Sequence, residues 1–112
     1  MEKALFDLSG RTALVTGGGS GLGRSIAEAF AEYGADIAVC SRKVENCQET
    51  ADWIKKTYGV KAKAYLCDVS SEEQITQTVE RVLQDFGKID ILVNNSGATW
   101  GEYVQDMPHR CY

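Results

Sequence analysis

Thr12-Ala13-Leu14-Val15-Thr16-Gly17-Gly18-Gly19-Ser20-Gly21-Leu22-Gly23 carries a short apolar run into a glycine-rich turn, and an amphipathic pattern over residues 24–33 follows it. Strand, glycine turn and helix in that order build a phosphate cradle. Glycine lets the backbone turn sharply and approach a pyrophosphate closely. The free N–H groups of the helix start, with the helix dipole, then attract the anion. The strict G-x-G-x-x-G spacing is not met. The glycines fall at Gly17, Gly21 and Gly23, in the order T-G-x-x-x-G-x-G. Taken alone, this stretch reads equally well as a plain tight turn.

Outward from it, one unit repeats. Each copy is a helical pattern, an aromatic-Gly stop and a strand. The stops are Tyr33-Gly34, Tyr58-Gly59 and Phe86-Gly87, and glycine after a helix closes it in the left-handed conformation. The predicted strands are residues 12–15, 37–40, 62–66 and 89–93. Val44, Cys47, Ala51, Ile54 and Tyr58 form one helical stripe, and Ile75, Val79, Val82, Leu83 and Phe86 another. Ser70 with Glu73 three residues on predicts a capping box for the third helix. The alternation β-α-β-α-β-α-β predicts an α/β domain with a parallel sheet. Nothing over residues 1–112 reads as a linker or a domain boundary.

Composition narrows the function classes. The 112 residues are 44% hydrophobic and 25% charged, the balance of a soluble globular domain, and the net charge is −4. A net acidic chain argues against a nucleic-acid or anionic-membrane partner, which needs a basic face. Residues 1–7 hold no apolar leader core and no apolar run reaches membrane-spanning length, so the expected location is cytoplasmic. Cys40, Cys47, Cys67 and Cys111 form no C-x-x-C pair. Cys40 and Cys67, in apolar strand-like runs, read as small hydrophobes, and no metal site is expected.

Four features fall at the C-terminal ends of the four predicted strands: the glycine turn, Ser41-Arg42-Lys43, Cys67-Asp68-Val69 and Asn94-Asn95-Ser96-Gly97-Ala98. Ligands bind at that end of an open α/β sheet. In combination, T-G-G-G-S-G-L-G, C-D-V and N-N-S-G resemble the N-terminal half of a short-chain dehydrogenase/reductase, over about residues 5–108. Ser96 stands where that family usually has alanine.

The resemblance implies a Rossmann-type doubly wound parallel sheet, β-α-β-α-β-α-β portion only, of strand order 3-2-1-4. It also implies the roles of the residues. Thr16, Gly17, Gly19, Ser20, Gly21, Leu22 and Gly23 would hold the pyrophosphate, with Ser20 adding a hydroxyl. Asp68 would accept from the adenine amino group and the Val69 N–H would serve a ring nitrogen. Asn94, Asn95, Ser96 and Gly97 would bridge the strand ends and floor the ribose site. Plainer readings stand beside these: Asp68 as a turn residue before a capped helix, and Asn94-Asn95 as a strand-ending turn.

By the same match, Ser41 occupies the position at the end of the second strand where an acidic residue would select NAD, and Arg42 follows it. A serine hydroxyl and a guanidinium both suit a 2′-phosphate, which favours NADP over NAD. The plainer reading of Arg42 is a solvated residue opening the second helix. The family's chemistry also needs a serine, a Tyr-x-x-x-Lys pair and a helix asparagine. No tyrosine of the 112 residues has lysine four positions on. His109, the single histidine, reads as an exposed tail residue.

The expected function is therefore that of an NADP(H)-dependent oxidoreductase that interconverts a ketone and a secondary alcohol by hydride transfer. This chain would hold its dinucleotide site as an N-terminal fragment, inactive alone. The partner would be a small-molecule carbonyl or alcohol, in a homo-oligomeric parent, with the fragment prone to association at its open sheet edge. A non-catalytic nucleotide-binding or edge-pairing module, or an incomplete product without separate function, is the alternative.

Overall fold

Thr12–Thr16 (β1) is buried at every position, which is the signature of a strand covered on both faces. The computed structural model describes residues 7–17, 21–68 and 70–95. In chain order it forms β1, α1 (Gly21–Glu32), β2 (Asp36–Ser41), α2 (Val44–Tyr58), β3 (Ala62–Leu66), α3 (Glu72–Phe86) and β4 (Ile91–Val93). The sheet order is β3-β2-β1-β4. All pairings are parallel: Thr12 lies beside Asp36, Ala13 beside Ile91, and Ile37 beside Ala62. This is the expected doubly wound sheet in the expected order. The order reverses between β1 and β4, where such sheets open a crevice beyond the strands' C-terminal ends.

Strand alternation divides the core into two layers. Leu14, Ala38, Cys40, Tyr65 and Leu92 face α3, which covers them with Ile75, Val79 and Val82. Ala13, Val15, Ile37, Val39 and Ala62 face the other way, under Ala27 and Ala31 of α1 and Cys47, Ala51 and Ile54 of α2. Both predicted helical stripes therefore point at the sheet. The side chain of Val44, the first member of one stripe, lies outside the described part. Gly59 and Gly87 end α2 and α3 in the left-handed conformation, their N–H groups bonding to Lys55 O and Leu83 O.

Three boundaries differ from the sequence expectation. Helix α1 begins at Gly21, not at residue 24, and ends at Glu32. Strand β4 is limited to Ile91–Val93, because the Asp90 carboxylate takes the Thr12 N–H at 2.8 Å, a donor that a strand carbonyl would otherwise accept. The cap of α3 is Ser71, whose hydroxyl accepts from Gln74 N–H, and not Ser70. Ser70 instead turns its N–H and hydroxyl to Asp68 Oδ1. Among the described residues, β4 is paired on one side only, by β1, and no helix is long and apolar enough to cross a membrane.

Candidate functional site

The C-terminal ends of β1 and β4 meet around Thr16, which is fully buried. Its hydroxyl lies 3.4 Å from Val93 O and 3.3 Å from Asn94 Oδ1, and accepts the Asn95 N–H at 2.8 Å. Gly17 N–H continues the sheet by donating to Cys40 O at 2.8 Å. Gly17 then turns with φ of +67°, a conformation that a side chain would strain. Gly23, in the first turn of α1, is needed for a different reason. A Cβ there would lie 2.1 Å from the Gly17 carbonyl oxygen and 3.1 Å from Asn95 Nδ2. Asn95 Nδ2 is also 3.3 Å from where a Gly17 Cβ would stand. The start of α1 at Gly23 thus packs directly on the Gly17 backbone, with the Asn95 amide against both.

Helix α1 carries no acidic residue in its first turn, so nothing opposes an anion at its start. Gly21 opens the helix, and Leu22 is exposed. Gly19 and Ser20 lie outside the described residues, as do Val69, Ser96 and Gly97. So do Met107, Pro108, His109, Cys111 and Tyr112.

A second group forms where β2 and β3 end. Cys67 N–H donates to Ser41 O at 2.9 Å, which sets the turn after β2 beside the one after β3. Ser41 gives its hydroxyl proton to Lys43 O at 2.8 Å and accepts from the Cys47 thiol at 3.1 Å. Its proton is therefore committed within the turn, whereas the sequence suggested a phosphate donor. Arg42 is exposed between these anchors. Asp68 Oδ1 accepts from Ser70 Oγ at 2.7 Å and Ser70 N at 3.0 Å. Those two bonds hold its carboxyl below the usual range, and the Arg42 charge adds to the effect. Asp68 N–H donates to Gln74 Oε1 at 2.8 Å. Asp68 is thus a turn residue just beyond the end of β3.

The structure therefore gathers Thr16, Gly17, Gly23, Asn94 and Asn95 at the β1–β4 end, and Ser41, Arg42 and Asp68 at the β2–β3 end. Sequence reasoning missed Cys47 and Gln74. Cys47 was legible as a core residue of α2, but its polar contact is tertiary. The signal for Gln74 was its place three residues after Ser71. The Cys40 thiol is pushed far up, first by its hydrogen bond to Cys67 and then by burial, and stays protonated. Among the described residues no group of His, Cys, Asp or Glu is set to hold a metal.

Comparison with known proteins adds a family and its relatives. A family model described as short chain dehydrogenase matches residues 11–110. A probable NADP-dependent mannitol dehydrogenase of Yarrowia lipolytica is 44% identical over 95 residues, which cover 85% of this chain and 34% of that protein. L-Sorbose reductase from Gluconobacter frateurii, solved in complex with NADPH and L-sorbose, matches with a TM-score of 0.78 at 41% identity. The match covers 82% of this chain and 35% of the reductase. An NAD+-bound xylitol dehydrogenase gives a TM-score of 0.77 at 39% identity, covering 90% of this chain and 39% of its own. The chain spans little more than a third of the length of these relatives.

Proposed function

The chain belongs to the short-chain dehydrogenase family, and from that premise we propose that it carries the dinucleotide-holding part of an NADP(H)-dependent oxidoreductase. The parent reaction interconverts a ketone and a secondary alcohol. The observation that carries this reading is the close packing of the α1 start on the glycine turn, which a Cβ at residue 23 would break by meeting the Gly17 carbonyl oxygen at 2.1 Å. Backbone that close, at a helix start without acidic residues, suits a pyrophosphate. Gly17 to Gly23, with the Gly19 N–H and the Ser20 hydroxyl, would hold it. Asn94, Asn95, Ser96 and Gly97 would floor the nearer ribose, and Asp68 and Val69 would read the adenine.

Cofactor choice rests on the turn after β2. The last residue of β2 is Ser41, not a carboxylate that would repel a 2′-phosphate; the nearby acids are Asp68 after β3, whose carboxylate feels the Arg42 charge, and Glu45 in the first turn of α2. Asp36 begins β2 at the opposite end, where its Oδ1 accepts Lys61 N–H at 3.1 Å. With the Ser41 proton committed to Lys43 O, the Arg42 guanidinium carries the larger share of phosphate recognition. The NADP-dependent mannitol dehydrogenase and the NADPH-bound sorbose reductase support this choice; the NAD+-bound xylitol dehydrogenase shows that relatives of the other kind exist.

When bound, the nicotinamide supplies or takes the hydride. The residues of this chain bind and orient, and none of them is assigned the proton exchanged with the substrate oxygen. The 112 residues hold no Tyr-x-x-x-Lys, so this stretch alone binds without turnover. Titrating the chain with NADP and with NAD tests the proposal. Tighter NADP is expected, and Arg42→Ala is expected to weaken it about tenfold or more, the worth of charge-assisted hydrogen bonds. Tighter NAD overturns the cofactor assignment. NADPH oxidation by the 112 residues with a panel of ketones overturns the binding-only assignment.

A further inference from the structure

We propose that Cys47 is a positioning residue for dinucleotide choice: through Ser41, its thiol fixes the turn that carries Arg42. The inference rests on the NADP(H) reading above and deepens it.

Arg42 stands alone between two anchored neighbours. On one side, Ser41 is held by its carbonyl, which accepts the Cys67 N–H at 2.9 Å. On the other, Lys43 is held by its carbonyl, which accepts the Ser41 hydroxyl at 2.8 Å. The Cys47 thiol completes a relay by donating to Ser41 Oγ at 3.1 Å. That bond leaves the Ser41 proton to point at Lys43. Burial pushes the Cys47 thiol up, which keeps it a donor.

The relay matters because α2 lacks a side-chain cap bond at its N-cap. Its N-cap residue, Lys43, is extended and caps nothing with its side chain. Serine, threonine or aspartate would hold such a turn from the N-cap itself. Here the lock reaches back instead, from a fully buried core position in the first turns of α2, to the residue before Arg42. The result is a fixed backbone under an exposed guanidinium, close enough to Asp68 for its charge to be felt there. A pre-organised cation loses less freedom when it pairs with a phosphate. A ligand without the 2′-phosphate does not use that cation, so the relay acts on the ratio of the two affinities.

The test is calorimetric titration of the full chain with NADP and NAD, comparing the parent with Cys47→Val, Cys47→Ser, Ser41→Ala and the double variant Cys47→Val/Ser41→Ala. Valine fills the core position without a donor; serine keeps the donor. Cys47→Val is expected to lower the NADP:NAD affinity ratio about two- to tenfold, the range for one net hydrogen bond. Cys47→Ser is expected to restore most of it. The double variant should fall no further than Ser41→Ala alone, because both break one relay. A Cys47→Val ratio within error of the parent overturns the inference, as does a Cys47→Ser loss equal to that of valine. If Cys47→Val does not fold, Ser41→Ala decides: an unchanged ratio overturns the relay. A parent chain that binds NAD as tightly as NADP, or binds neither, overturns the underlying reading itself.

Discussion

At Gly23 the absence of one carbon lets α1 pack directly on the glycine turn. The Gly17 carbonyl that a Cβ would meet is backbone, and it is tied through Gly17 N–H to Cys40 O, so it has little room to move. Gly23→Ala is expected to lower stability by about 1–3 kcal/mol, the cost of overpacking, and to abolish dinucleotide binding. Urea unfolding and a dinucleotide titration check both parts. Asp68 offers a pH measurement at the same scale. An aspartate in an unfolded chain titrates near about 3.9. The Ser70 bonds hold Asp68 lower in the folded chain. A depressed folded value means that this contribution is complete above the unfolded value and fades as pH falls through the folded one. The Asp68 carboxyl carbon, followed by NMR, should titrate below the ordinary range, and Ser70→Ala should move it back up.

Helix and strand ends show where local sequence was legible and where it was not. Ser70-Ser71-Glu72-Glu73-Gln74 offers two overlapping capping frames, Ser70 with Glu73 and Ser71 with Gln74. Sequence alone does not separate them. The structure takes the second frame because Asp68 claims both donors of Ser70 and Gln74 Oε1 is drawn to Asp68 N–H. Ser71→Ala is therefore expected to cost about 1 kcal/mol of stability, and Ser70→Ala clearly less. The short β4 has a similar cause. Asp90 is 4% exposed, and its carboxylate takes Thr12 N–H at 2.8 Å beside Lys88 Nζ at 3.2 Å. Its N–H in turn donates to Thr12 O at 2.9 Å. This two-point clamp sets the register that brings Asn94 and Asn95 to Thr16 at the far end of the strands. Asp90→Ala leaves a buried N–H unpaired and is expected to cost about 1–3 kcal/mol in urea unfolding. Asp90→Asn keeps an acceptor and should cost less.

For the molecule as a whole, element order was legible because each unit carries its own period and its own glycine stop, whereas the strand neighbours followed only from the family resemblance. The contacts that make the site were not, because they join residues far apart in the chain: Asn95 over Gly17, Cys67 to Ser41, Asp90 to Thr12. Only the folded sheet sets those separations. The same topology fixes how a ligand acts on stability. A dinucleotide on this crevice would touch the ends of all four strands at once, so unfolding either half of the sheet would release it. Binding to the folded state alone stabilises by RT ln(1 + [L]/Kd), about 2.7 kcal/mol at a hundredfold excess over Kd. The unfolding midpoint is therefore expected to rise with NADP in a single cooperative transition, and to rise less with NAD at equal concentration. Two separate transitions, only one of them shifted by NADP, would mean that the two ends of the crevice do not act as one site. Gly23→Ala should show no shift with either dinucleotide, because a Cβ against the Gly17 carbonyl forces the glycine turn and the start of α1 apart.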